Sequence, residues 1–283
     1  MRVTQSMLSN NMLRNLSSSY NKMGKLQNQL DTGKKVNRPS DDPVVVMKGM
    51  GYRMQVDKVA QFQRNLGEAN NYLDSSDDAL DKVGQAMHRA KELVTSAANG
   101  TLTPEDKEKI QSELDQLRNH IQDLANTKVG DKYLFSGTKT STPLFDNGYT
   151  DDDAFKKSVD IEVFDGVTMN INTDAAALFK GIDDMFSKFN GNTDFSAAIA
   201  DIDANMDKVL TTRADIGARQ NRVEMMSNRL DSQEASAKKQ MSENEDIDYE
   251  KAITDMLTQE SIHRAALSVG SRIIQPSLVD FLR

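Results

Sequence analysis

The chain contains no cysteine and no tryptophan, and aromatic residues make up only 6% of its 283 residues. Because cysteine is absent, there is no disulfide framework from which the redox compartment could be read. No apolar run approaches the roughly 18 residues that span a bilayer, and the N-terminus lacks the basic and apolar blocks of a cleaved signal peptide. We therefore expect no membrane partner, and any export to use a pathway without a cleaved signal.

Groups that carry chemistry are also scarce. Three histidines lie in separate segments without a partner at metal-ligand spacing, namely His88, His120 and His263. The acidic clusters at 77–78, 151–153 and 183–184 lack the loop spacing of a calcium site. The net charge of −8, with one small basic stretch at 34–38, argues against binding nucleic acid. We expect no catalytic residues, no metal, no cofactor and no small-molecule substrate.

The chain is rich in charge and in helical periodicity, with 28% charged residues. Apolar residues recur three and four positions apart in one long stretch: Val59, Phe62, Leu66, Ala69, Leu73, Leu80, Val83, Met87, Ala90 and Val94. The same spacing recurs over 110–124 and 199–230, which is typical of long helices packed along apolar seams. We predict a mainly α fold, an elongated rod of long antiparallel coiled-coil-like helices.

The periodicity changes from helical to alternating in the middle of the chain. Val159, Ile161 and Val163 alternate with polar residues, as do the residues after Asp165-Gly166, which predicts a β-hairpin with a tight turn. We expect residues 133–193 to form a small β-containing insertion domain. Phenylalanines would pack this insertion, namely Phe145, Phe155, Phe179, Phe186 and Phe189.

Both ends of the chain carry apolar stripes without an obvious partner. The stripe residues are Leu13, Leu16, Tyr20, Met23 and Leu30 in the first helix, and Leu267, Ile274, Leu278 and Phe281 in the last. Because an isolated helix is marginal in water, we expect the two terminal helices to pair with each other or with neighbouring copies. This predicts a terminal coiled-coil assembly domain (1–45 with 250–283) beside a helical rod domain (46–132 with 194–249).

A proline-containing turn separates the first helix from the long second helix. Its residues are Asn37, Arg38, Pro39, Ser40, Asp41, Asp42 and Pro43. Two prolines forbid a continuous helix, so the segment is predicted to be a hinge. We expect Gly33 to end the first helix, and Asp42 to cap the second helix with Pro43 as its first residue.

Four motifs carry a resemblance to a known family over nearly the whole chain. They are Gly33-Lys-Lys-Val-Asn-Arg-Pro-Ser-Asp-Asp-Pro43, Tyr133-Leu-Phe-Ser-Gly-Thr138, Arg213-Ala-Asp-Ile-Gly-Ala-Arg219, and Asp246-Ile-Asp-Tyr-Glu-Lys-Ala252 with Ser277-Leu-Val-Asp-Phe-Leu282. With these motifs the chain resembles the flagellin superfamily of bacterial flagella. It resembles the hook–filament junction members more than flagellin itself, because Pro43 directly follows Asp41-Asp42 and Ala265–Val269 stands where flagellins carry a Gln-Ala-Asn stretch.

The resemblance implies a structural, non-enzymatic protein that is exported unfolded through the flagellar type III channel to an extracellular position between hook and filament. Its implied partners are the neighbouring hook-associated protein, flagellin, copies of itself, and an export chaperone that binds the C-terminal helix. Three alternatives stay open: a filament flagellin, a cytoplasmic coiled-coil scaffold, and an enzyme with a site in residues 133–193. The last has little support, because that segment contains no histidine and no cysteine.

Overall fold

A computed structural model describes residues 5–98, 103–146, 148–189 and 195–274. Within them are six α-helices: α1 (Gln5–Thr32), α2 (Pro43–Ala98), α3 (Pro104–Ala125), α4 (Ala176–Ser187), α5 (Phe195–Glu245) and α6 (Tyr249–Ile274). The strands are β1 (Lys128–Val129), β2 (Lys132–Tyr133), β3 (Asp160–Phe164) and β4 (Val167–Asn170), which form two antiparallel hairpins. A 3₁₀ turn spans Asp153–Lys156. The predicted mainly α fold, with a small β-containing part, is confirmed.

By packing, the chain divides into two compact units. The terminal unit comprises Met1–Asp57 with Glu234–Arg283, and the central unit comprises Lys58–Gln233. Helices α2 and α5 therefore contribute residues to both units. The β hairpins lie within the central unit, and the predicted division into three domains stays a prediction.

The core of the central unit follows the predicted seam. Every residue of the seam from Val59 to Val94 is buried. Helix α5 adds five buried residues seven positions apart: Ile202, Val209, Ile216, Val223 and Leu230. Helix α3 adds Leu114 and Ile121, again seven apart. A seven-residue repeat keeps one side of a helix against its partners, so the packing is of the coiled-coil type.

The predicted β-hairpin is present and is held against the helices of the central unit. Gly166 adopts φ +71 in the turn, which only glycine does without strain. The Asn65 amide donates to the Glu162 carbonyl oxygen at 2.7 Å, and the Phe62 and Phe164 rings stack with centroids 6.2 Å apart. The five phenylalanines expected to pack the insertion are all buried.

The motif from Arg213 to Arg219 connects three elements of the central unit. Arg213 of α5 bridges Asp77 and Asp81 of α2, with N–O distances of 2.8 Å and 2.6 Å. One turn later Ile216 is fully buried, and Arg219 donates to the Asn172 carbonyl oxygen at 2.8 Å, just after β4. Three consecutive turns of one helix thus contact α2, the core and the end of the hairpin.

Helix α4 was not predicted from the sequence. Five of its buried residues lie on one side at helical spacing, but Phe179 and Phe186 were attributed to packing of the insertion and no helix was assigned there. It is joined to α3 by a bidentate ion pair, in which Arg118 Nε and Nη2 donate to the two Asp183 oxygens at 2.7 Å and 2.9 Å. The Gln122 amide also donates to Asp183 at 2.7 Å.

The pH dependence of stability should reflect the Arg118–Asp183 pair. Burial raises the pKa of Asp183, but hydrogen bonds from Arg118 and Gln122 lower it more, so the folded-state pKa lies below its usual value. The stabilisation is therefore complete above the ordinary carboxyl pKa of about 4, and is lost as the pH falls through the lower folded-state value. Asp183→Asn should cost about 1–2 kcal/mol in urea unfolding near neutral pH, and less near pH 3.

The neighbouring exposed Asp184 provides the control, since Asp184→Asn should change stability little at either pH. An equal loss in both variants, or a loss in Asp183→Asn that does not shrink in acid, would contradict the assignment to this ion pair.

Gly137, in the Tyr133–Thr138 motif, is required by a close backbone crossing. It adopts φ +54, and a Cβ there would overlap the Ala154 carbonyl oxygen and lie 2.6 Å from the Phe155 carbonyl oxygen. Gly137→Ala should lower the free energy of unfolding by about 2–3 kcal/mol, from backbone strain plus overlap. Gly130→Ala is the matched control, because Gly130 has φ +60 but open space around it. Thermal unfolding that shows equal losses in both variants would exclude the overlap as the cause.

Candidate assembly site in the terminal unit

Helices α1 and α6 pack against each other, as predicted for the two ends of the chain. Their contact uses small and polar residues as well as apolar ones. The Gln259 amide donates to the Ser19 hydroxyl at 2.7 Å, and the end of the Met12 side chain occupies the space beside Gly270. Gly270 therefore has a packing role, because a Cβ there would overlap Met12.

The predicted stripe residues divide between two environments. Leu16, Met23 and Leu30 are half-buried, on the same side of α1 as Met12 and Ser19. Three other residues of the predicted stripe remain exposed, namely Leu13 and Tyr20 on α1 and Leu267 on α6. The side chain of Ile274 and the residues Leu278 and Phe281 lie outside the described part of the chain. The role of these residues in assembly stays a prediction.

The hinge turn begins and ends as the sequence indicates. Helix α1 ends at Thr32, and Gly33 follows it with φ +68. The Asp42 carboxylate accepts hydrogen bonds from the backbone N–H groups of Val44 and Val45, both at 3.1 Å, so it caps α2. This satisfies N–H groups that have no partner within the helix.

Side chains within the hinge tie it back to α1. The Asn37 amide donates to the Asn28 carbonyl oxygen at 3.1 Å, and its side-chain oxygen accepts from the Thr32 hydroxyl at 2.8 Å. Asp41 pairs with Lys25 of α1 at 3.1 Å. Arg38, Pro39, Ser40 and Pro43 are exposed. The turn is therefore held by polar side chains and not by a core.

A second turn, between α5 and α6, lies beside the hinge. Its backbone pairs with the hinge through two hydrogen bonds, from Ile247 N–H to the Gly33 oxygen at 3.0 Å and from Lys35 N–H to the Glu245 oxygen at 2.7 Å. Lys34 and Asp246 face each other there and form an ion pair at 2.6 Å. The Gly33 motif and the Asp246 motif, far apart in sequence, thus meet in space.

The ion pair shifts the pKa values of both partners. The hydrogen bond from Lys34 holds the pKa of Asp246 below its ordinary value, and the same hydrogen bond raises the pKa of Lys34. Both groups therefore stay charged throughout the neutral range. Because both side chains are more than one-third exposed, solvent screens the pair and its contribution to stability is small.

A buried carboxylate lies directly beneath the paired turns. Glu245 is only 7% exposed, and Arg53 of α2 donates to its Oε2 at 2.6 Å while Lys34 lies 3.6 Å from the same oxygen. Its carboxylate approaches α2 at Gly49, where no side chain intervenes. The sequence predicted neither Glu245 nor Arg53 as part of a site, because only the fold brings them together.

Neither a metal-binding cluster nor a membrane-spanning helix is present in the described part of the chain. Within residues 5–98, 103–146, 148–189 and 195–274, no group of three or more His, Cys, Asp or Glu side chains is placed to hold a metal ion. None of the helical segments described combines the length and the apolar character required to cross a bilayer. The geometry defines a helical structural protein, whose first and last helices pair and whose two interhelix turns lie side by side.

Comparison with known proteins identifies the family to which this protein belongs. The family model described as "Bacterial flagellin N-terminal helical region" matches residues 3–140, and the "Bacterial flagellin C-terminal helical region" matches residues 199–282. The chain belongs to the bacterial flagellin family and is a structural component of the bacterial flagellum.

Individual relatives refine this placement. The flagellar hook-associated protein 3 of Escherichia coli is 26% identical, covering 93% of both chains, and that of Salmonella typhimurium is 25% identical, covering 94% and 95%. A solved structure described as a flagellar hook-associated protein from Vibrio parahaemolyticus is 26% identical, with a TM-score of 0.65 over 73% of this chain and 100% of that one. Flagellins and filament core proteins are also similar. The hook-associated relatives support the junction function over that of a filament subunit.

The Gly49 contact can be tested by adding a single methyl group. Gly49→Ala should force the Glu245 carboxylate away from Arg53 and destabilise the terminal unit by about 1–2 kcal/mol. Gly51→Ala, which meets nothing within 4 Å, should instead stabilise α2 by up to about 1 kcal/mol. Amide hydrogen exchange of residues 33–57 reports both effects. Amide exchange slower than in the wild type for both variants would show that Glu245 can move aside without loss of stability.

Proposed function

We propose that this chain is the adaptor at the hook–filament junction, and that its terminal unit makes the contacts with neighbouring flagellar subunits. The junction position is supported by the hook-associated relatives, which match 93% and 94% of the chain. The assignment of the contacts to the terminal unit is supported by where the exposed apolar surface lies.

Large exposed apolar side chains are concentrated in the terminal unit, and this observation carries the proposal. Of the sixteen such residues in the described part of the chain, only Leu210 and Met225 belong to the central unit. The others lie on α1, the beginning of α2, and α6: Met7, Leu8, Leu13, Tyr20, Val44, Met47, Met50, Met54, Tyr249, Ile253, Leu257, Ile262, Leu267 and Val269. Such a concentration of exposed apolar side chains in one unit is typical of a surface that contacts other proteins.

The proposal includes the route by which the protein reaches the junction. The chain is exported unfolded, without a cleaved signal peptide, and takes an extracellular position in the flagellum. Before export, a chaperone covers the apolar stripe of the C-terminal helix, from Leu267 through Ile274 to Leu278 and Phe281. Support for this route comes from family membership and from the exposure of Leu267.

Deletion of the gene, with inspection of the cells and the culture medium, tests the junction function. Hooks without filaments, together with flagellin released into the medium, are the expected result for a missing adaptor. Bare hooks without secreted flagellin would instead identify the filament subunit. Unchanged filaments would contradict both flagellar functions and favour a cytoplasmic scaffold.

The contact role of the terminal unit can be tested with one charge on α6. Leu257 is 62% exposed, so Leu257→Glu should change the free energy of unfolding by less than about 0.5 kcal/mol. At the contact with the hook, however, the new carboxylate would be buried without a partner. Attachment of the purified protein to hooks isolated from the deletion strain should therefore fail. Leu210→Glu, at a 58% exposed position of the central unit, is the control and should attach as the wild type does. Normal attachment of both variants would show that α6 makes no contact at the junction.

A further inference from the structure

A groove of about 310 Å³, the hinge groove, lies between α1 and the hinge turn. Asn21, Gly24 and Asn28 line it from α1, and Arg38 lines it from the hinge. Within the described part of the chain, the side-chain amides of Asn21 and Asn28 and the Arg38 guanidinium form no hydrogen bonds. Ligand pockets begin at about 300 Å³, so the hinge groove has room for a short peptide and polar groups to bind it.

The α1 side of the hinge groove is built from residues that weaken a helix. Asparagine and glycine have a lower helix propensity than most residues, yet Asn21, Gly24 and Asn28 line the groove within two turns. A Cβ added to Gly24 would meet nothing within 4 Å, so packing inside the chain does not require glycine there. A glycine does allow another backbone to approach the helix closely. These residues therefore suit a bound ligand better than they suit α1.

The spacing of Asn21 and Asn28 matches an extended peptide. Seven residues correspond to about 10.5 Å along the helix and to nearly two full turns, so the two residues lie on one side of α1. A peptide in the polyproline II conformation has three residues per turn and a rise of about 3.1 Å, so every third residue presents its backbone groups to the same side at intervals of about 9 Å. An asparagine amide both donates and accepts hydrogen bonds. The two amides can therefore hold the peptide backbone at positions three residues apart.

Charge and an aromatic ring define the peptide further. Lys25, Arg38 and Asp41 are the charged residues that line the hinge groove. Lys25 and Asp41 pair at 3.1 Å, so Arg38 leaves one positive charge in excess. A guanidinium binds a carboxylate through two parallel hydrogen bonds, and this complementarity favours an acidic side chain on the ligand. Tyr20, which also lines the groove and is 64% exposed, offers its ring to a neighbouring side chain of the peptide.

We propose that the hinge groove binds an extended acidic peptide of another protein. Asn21 and Asn28 hold its backbone, Arg38 pairs with its carboxylate, and its backbone passes close to Gly24. This inference goes beyond the proposed function, because it requires neither a position at the junction nor contact between the helices of neighbouring subunits. Binding can be measured without hooks, so a failure of this proposal and a failure of the junction function are distinguishable.

Titration of the full-length protein with a short peptide tests the proposal. The probe is the capped tetrapeptide acetyl-Ala-Asp-Ala-Ala-amide, and the side-chain amide NMR signals of Asn21 and Asn28 report binding. We expect a Kd on the order of 1 mM, and at least about tenfold weaker binding of the matched peptide with asparagine in place of aspartate. Sodium acetate should leave both signals unchanged at the same concentrations. Equal binding of the two peptides, the same shifts with acetate alone, or no binding would overturn the proposal.

Two variants separate binding from folding. Gly24→Ala places a methyl group in the hinge groove and should weaken binding of the aspartate peptide on the order of tenfold, although alanine favours the helix and should not lower the melting temperature. Arg38→Gln should reduce the affinity for this peptide to that for the asparagine peptide. Gln27→Ala, at an exposed position of α1 outside the groove, is the control and should bind as the wild type does. Wild-type binding by Gly24→Ala, or an equal loss in Gln27→Ala, would overturn the assignment of the site.

Discussion

Two backbone hydrogen bonds between the interhelix turns fix the arrangement of the terminal unit. Gly33 and Glu245 stand at the C-terminal ends of α1 and α5, where carbonyl groups lack partners within their own helices. Each of these two carbonyl oxygens accepts a hydrogen bond from the other turn, at 3.0 Å and 2.7 Å. The two helix ends therefore satisfy each other. Because the two turns are joined, α1, which precedes one turn, and α6, which follows the other, lie side by side.

The composition of the α1–α6 contact is consistent with the proposed role of this unit in assembly. Its interior positions include Ser19, Gly270 and a half-buried His263, and its larger apolar residues, such as Leu16 and Leu30, are only half-buried. Small residues bring the helices close together but bury little apolar area, so the pair gains only modest stability from the hydrophobic effect. The larger side chains, such as Tyr20 and Leu257, remain exposed. Burial of these side chains against another protein would stabilise the helices further.

The sequence predicted those features that depend on periodicity and on local capping. The seam of α2, the Asp42 cap and the hairpin around Gly166 follow from spacing and from turn chemistry, which are local properties. Spacing alone could not tell which side of α1 faces α6, because Leu13 and Leu16 lie three residues apart on adjoining sides. Helix α4 was missed although its apolar residues recur at helical spacing, because its phenylalanines were attributed to packing of the β-containing insertion. The contact between Arg53 and Glu245 depends on the tertiary fold, and no local signal marks it.

The central unit holds its β hairpin with contacts that lie entirely within that unit. Arg219, Asn65 and Phe62 bind the hairpin from α5 and α2, and Arg118 binds α4 from α3. Because none of these contacts involves the paired turns, changes on the outer surface of the hairpin need not disturb the terminal helices. The two family models leave residues 141–198 uncovered, a segment that contains β3, β4 and α4. A segment held by such contacts can diverge in sequence without changing the paired turns of the terminal unit.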